Sequence, residues 1–157
     1  MLFSIYDHAN FKPIIYTRTI MTISIIEGVQ IITGCMLAAA AVVFVSKRRD
    51  EMMWYAAGLF GAALMYVVFV LFCHQWEVLR HITIELLGAL IFLSVSSLGY
   101  KIIPGLLAVG WIGHIGWDIF IPGHLINPYV PSWYVFLCIG FDLVVGIRVA
   151  VKAIMHK

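Results

Sequence analysis

The sequence predicts an all-α, polytopic membrane protein: a five-transmembrane-helix bundle with its N-terminus outside and its C-terminus in the cytoplasm. Three observations predict it. Of 157 residues, 63% are hydrophobic and 11% charged, against roughly half and a quarter in soluble domains. Apolar runs, each near the length that crosses ~30 Å of hydrocarbon, take up most of the chain. The basic residues are also shared unevenly between the two sets of connecting segments.

The elements follow in order. Residues 1–19 mix Tyr6, Asp7, His8, Lys12, Pro13, Tyr16 and Arg18 with apolar side chains, and read as an interfacial N-terminal arm. The remainder, 20–157, reads as a single transmembrane domain. Helix one is expected over about 20–46, and a charged turn follows at 47–51. Helix two is expected over 53–73, and a polar loop runs from 74 to 80. Helix three is expected over 81–99, with a tight turn at Tyr100 and Lys101. Helix four is expected over 102–121, with Pro104 tolerated in its first turn and Pro122 as its stop. The loop at 122–131 is uncharged and rich in Pro and Gly, and helix five is expected over 132–154. The stretch Ile32-Thr33-Gly34-Cys35 resembles a lipoprotein cleavage site, but the apolar run continues to Val45, too long for a signal peptide core, so the segment is read as retained.

Orientation comes from the basic side chains. Lys47, Arg48, Arg49, Lys101, Arg148, Lys152 and Lys157 fall on one side of a five-span topology, and Lys12, Arg18 and Arg80 on the other. The side richer in Lys and Arg is cytoplasmic, and a bacterial inner membrane is the expected location. A net charge of +2 carries no signature of nucleic-acid binding. Cys35, Cys73 and Cys138 have neither metal-ligand spacing nor a disulfide framework. Gly28, Gly34, Gly58, Gly61 and Gly110 are expected at close helix contacts.

The informative residues are those that hydrocarbon disfavours. A charge at mid-membrane costs at least ~3 kcal/mol, so such groups face a bundle interior and mark function. Glu27, Glu85, His114, Asp118 and Asp142 are of this kind, with His74, His81 and His124 at the outer boundary. At ~1.5 Å per residue, Glu85 lies roughly 22 Å above the turn at Tyr100 and Lys101, His114 roughly 20 Å and Asp118 roughly 25 Å. Glu27 reaches that level, while Asp142 sits lower, roughly 15 Å above the inner face. His81 and Glu85 share a helix face at spacing i, i+4, as do His114 and Asp118. Gln30 follows Glu27 by about one turn and can supply a third wall.

Three readings are open at this point. His114, Asp118, Glu85, Glu27 and His81 suit a divalent transition metal such as zinc or iron, in the manner of carboxylate sites in helix bundles. His114, Asp118 and Glu85 also suit metal-free acid/base catalysis on a lipid or other apolar substrate. The third reading is a hydrogen-bonded polar knot that fixes packing, with Asp142, His124 and Gln30 as further intramembrane polar groups. A proton- or cation-coupled small transporter and a non-catalytic subunit of a membrane complex are the alternatives to an enzyme. Membrane lipids are the expected partners, with a homo-oligomer or a larger membrane complex also open. Trp111, Trp117, Trp133, Tyr129 and Tyr134 are expected in an aromatic belt at the outer interface.

His114-x2-Trp117-Asp118, a following histidine, a Pro-rich link and Asp142 after Cys138 resemble a family of small bacterial polytopic membrane proteins of unknown function. That family carries a His-x2-Trp-Asp motif, then histidine, then a helix with an Asp. The resemblance covers roughly residues 105–146. The chain departs from the pattern at His124, which lies six residues after Asp118 and past Pro122-Gly123 rather than closer and doubled. The resemblance implies importance for His114, Asp118 and Asp142 and names no reaction.

Overall fold

A computed structural model describes residues 24–72, 78–120 and 129–155, and these are all-α. The expected arm at 1–19, the histidines His74 and His124, and Lys157 lie outside the described residues. The helices are α1 (Ile25–Val45), α2 (Glu51–Phe72), α3 (Val78–Lys101), α4 (Pro104–Phe120) and α5 (Ser132–Met155). α1, α2, α3 and α5 are long and apolar enough to cross a membrane. α4, with 17 residues, is ~25 Å long.

Local chemistry explains where these ends differ from the sequence expectation. α1 starts at Ile25 rather than residue 20 because Ser24 is extended, at φ −65° and ψ 158°, and caps it. The Ser24 hydroxyl accepts the Glu27 N–H at 3.3 Å, and the Glu27 carboxylate accepts the Ser24 N–H at 2.8 Å. This reciprocal box satisfies two amides that a helix start leaves orphaned. α2 starts two residues early because Asp50 Oδ1 accepts the Met53 N–H at 3.2 Å. The turn between α3 and α4 falls at Ile102 and Ile103, two residues beyond the expected place. Pro104 then opens α4, where its fixed φ suits a first turn.

The helices alternate in direction. Glu51 at the start of α2 meets Arg148 and Lys152 near the end of α5. Tyr66 and Ala62, further along α2, meet Tyr134 near the start of α5. Tyr100 at the end of α3 donates to Asp50 at 2.6 Å. One end of the bundle therefore gathers the α1–α2 turn, the α3–α4 turn and the end of α5. α2 packs on α3, α3 on α4 and α4 on α5, and α2 also reaches α4 and α5, which closes a four-helix core. α1 leans along α5.

Glycine decides two of these seams. A side chain at Gly34 would collide with the Leu137 carbonyl of α5, and one at Gly140 with the Ile31 carbonyl of α1. α1 and α5 thus touch backbone to backbone, and the Cys35 thiol donates to the Gly140 carbonyl at 3.4 Å. A Cβ at Gly99 would stand 2.7 Å from the Leu107 N, so α3 and α4 close tightly at their shared end. The main buried cluster joins Ala38, Tyr55, Leu59, Phe92, Leu107, Trp111 and Val149. Outside it, Ile25, Ile32, Met36, Leu71, Phe72, Leu87, Ile91, Val109, Phe120 and Ile147 are all more than half exposed. An apolar exterior on every helix far exceeds the patches that monomeric soluble proteins tolerate.

Candidate functional site

α4 turns its polar groups inward. His114 and Asp118, four residues apart, share the buried face of that helix with Leu107 and Trp111. α5 supplies the third group. Gly146 lets α5 approach Trp111 and Ile112, since a Cβ there would stand 2.8 Å from Ile112 Cδ1 and 3.3 Å from Trp111 Cβ. One turn before that contact on α5, Asp142 meets His114.

The resulting geometry is compact. His114 Nδ1 lies 2.7 Å from Asp142 Oδ2 and 3.4 Å from Asp118 Oδ1. His114 and Asp118 are 0% exposed and Asp142 is 1% exposed. α2 contributes a fourth group, the Tyr66 hydroxyl, which donates to Asp118 Oδ1 at 2.6 Å. Aromatic rings enclose the centre. Phe92 stands edge-on to His114 at 4.8 Å between centroids and to Trp117 at 5.9 Å, and Tyr66 lies 5.8 Å from His114. Gly88 makes room for the Trp117 indole, which a side chain there would strike. Tyr134 stacks edge-on to Tyr66 at 5.5 Å.

Three atoms of the centre remain buried with no hydrogen-bond partner among the described residues: His114 Nε2, Asp118 Oδ2 and Asp142 Oδ1. Buried polar atoms are normally satisfied by protein or by ordered water, so each such exception calls for an explanation. A proton on Nδ1 faces both carboxylates, so Nε2 carries the lone pair in the neutral ring. The donor set of one imidazole nitrogen and two carboxylate oxygens, all within 4.8 Å of one another, also fits a divalent transition ion with coordination positions to spare.

The structure brings together His114 and Asp118 as expected and adds Asp142, which the sequence placed too deep. Depth had been counted from the inner end of helix five. α5 continues from Asp142 to Met155, ~20 Å, whereas α4 runs from Pro104 to His114 in ~15 Å, so the two helices do not begin at one level and heights counted from their separate ends do not compare. The other expected ligands are not among the converging atoms. Glu27 belongs to the first turn of α1, where its carboxylate closes the capping box, because that helix starts five residues later than expected. Gln30 buries its amide oxygen on α1, without a hydrogen-bond partner among the described residues. Glu85 is 1% exposed on α3, two turns before Phe92 on the same face. His81 packs edge-on to Tyr129 at 5.2 Å. The aromatic belt is also corrected: Trp111 is a core residue at 1% exposure, while Trp133 is exposed and stacks on Tyr134 and Phe69. Tyr66 escaped sequence reasoning. Its signal was a lone phenol in the C-terminal half of an apolar helix, whose hydroxyl needs a buried partner.

No family model, curated protein or solved structure matches this chain.

Proposed function

We propose that the chain is a multi-pass membrane protein with five spans, seated in a bacterial inner membrane with its C-terminus in the cytoplasm. In this reading its His114–Asp118–Asp142 centre performs acid/base chemistry on a lipid or another apolar molecule. The observation that carries the proposal is the 2.7 Å contact between His114 Nδ1 and Asp142 Oδ2, with Nε2 buried and without a hydrogen-bond partner among the described residues. A carboxylate on one imidazole nitrogen fixes the ring and leaves the other nitrogen to take or give a proton. Asp118, held by Tyr66, stands beside the same ring as a second acceptor. An apolar substrate fits the surroundings, because aromatic and aliphatic side chains wall the centre on all the helices that reach it.

The test compares the lipid composition of membranes that contain the wild-type protein with those that contain His114→Ala at equal protein level. A lipid species whose amount depends on His114 supports the reading, and identical profiles remove the enzyme. Orientation is tested by reporter fusions at the two termini.

The convergence of three donor atoms within 4.8 Å favours a second reading, in which the same residues hold zinc or iron. Such an ion would act as a Lewis acid or activate a bound water. Elemental analysis of the purified protein decides it: a stoichiometric metal that is lost in Asp142→Asn supports it, and a trace amount removes it.

A further inference from the structure

The opposite end of the bundle carries a second set of charged groups. Lys47, Arg48, Arg49, Lys101, Arg148 and Lys152 gather there with Asp50 and Glu51. Both acids are spent on the protein itself. Asp50 accepts the Tyr100 hydroxyl and the Met53 N–H. Glu51 is buried, with Oε1 accepting from the Tyr55 hydroxyl at 2.9 Å and from Arg148 Nε at 3.1 Å. Its Oε2 pairs with the Lys152 ammonium. One carboxylate thus anchors two cations, and both remain partly exposed. Arg148 uses Nε and Nη2 on Glu51 and stays partly exposed. The Arg48 guanidinium stacks over the Phe44 ring at 4.3 Å.

We propose that this end is a docking surface for anionic phospholipid headgroups, with Arg148 and Lys152 as its phosphate-binding niche. Charge complementarity carries the argument: among the described residues the exposed charges here, Lys47, Arg48, Arg49 and Lys101, are basic, and Glu51 holds two more cations in place while itself buried. An anionic leaflet attracts juxtamembrane Lys and Arg side chains over about a Debye length. The proposal rests on the membrane reading above.

The test uses the full chain in neutral detergent, titrated with phosphatidylglycerol or with phosphatidylcholine of the same acyl chains and read by native mass spectrometry. Phosphatidylglycerol is expected to bind about tenfold more tightly at low salt, with the preference shrinking as salt is raised. The variant Lys47→Gln/Arg48→Gln/Arg49→Gln is expected to weaken that preference. Glu51→Gln/Arg148→Gln, which leaves no buried carboxylate facing a lost partner, is expected to reduce it to about twofold or less. Equal binding of the two lipids overturns the proposal, as does a preference that survives in both variants. Displacement of the lipid by millimolar inorganic phosphate overturns the lipid as the ligand. Failure here leaves membrane insertion untouched, since the terminal fusions judge that separately.

Discussion

Tyr66→Phe removes a single oxygen atom from the centre. The Tyr66 hydroxyl is 2.6 Å from Asp118 Oδ1, and both side chains are 0% exposed. The ring stays, so no cavity opens and the loss is that of the hydrogen bond. A bond to a carboxylate contributes about 1.5–3 kcal/mol, and the short, dry geometry places it towards the upper end. Tyr134→Phe is the matched control. Its hydroxyl donates to the Ala62 carbonyl at 3.3 Å from a partly buried position, a neutral bond of about 0.5–1 kcal/mol. Reversible unfolding in detergent micelles should therefore find Tyr66→Phe less stable than Tyr134→Phe by about 1 kcal/mol or more. In an Asp118→Leu background the Tyr66→Phe penalty should vanish, because the hydroxyl has already lost its acceptor. A Tyr66→Phe protein as stable as wild type, or an unchanged penalty in the Asp118→Leu background, would refute the view that the tyrosine holds Asp118 in place.

Other perturbations have directions set by the same structure. Gly140→Leu should prise α1 from α5, because a side chain there strikes the Ile31 carbonyl; the cost is about 1–3 kcal/mol. Spin-label distances between the two helices should broaden in that variant, whereas Gly61→Ala, which meets nothing within 4 Å, should leave them unchanged. Glu51→Gln should destabilise the protein by about 2 kcal/mol, less than a fully buried pair would lose because Arg148 and Lys152 remain partly in contact with solvent. Adding Arg148→Gln should recover part of that loss in the same unfolding measurement. A cytoplasm-sensitive reporter should be active when fused after Met155 and inactive when fused at the N-terminus; the reverse pattern would overturn the proposed orientation.

Much of the fold was legible because its causes are local. The lengths of the apolar runs, the charged break at 47–51 and Pro104 are properties of short stretches, and they placed five helices to within a few residues. The start of α1 was misjudged because Ile20, Met21 and Ile25 are equally apolar, so hydropathy does not mark the boundary. The Ser24–Glu27 box does, and it was legible as a Ser-x-x-Glu signature. That one cap moves Glu27 from an interior position to a helix start.

The sequence by itself determined the class of helix bundle, the collection of basic side chains at one end and the sharing of a face by His114 and Asp118, since all three follow from composition and a 3.6-residue period. Only the tertiary structure decided which helix stands opposite that face. The choice belongs to α5, because Gly146 removes a side chain where Trp111 and Ile112 of α4 press in, and helix periodicity says nothing about the depth at which two separate helices meet. Asp142 and Tyr66 thereby became partners of His114 and Asp118 across 28 and 52 residues of chain. Pairings that distant are fixed by packing rather than by any local pattern.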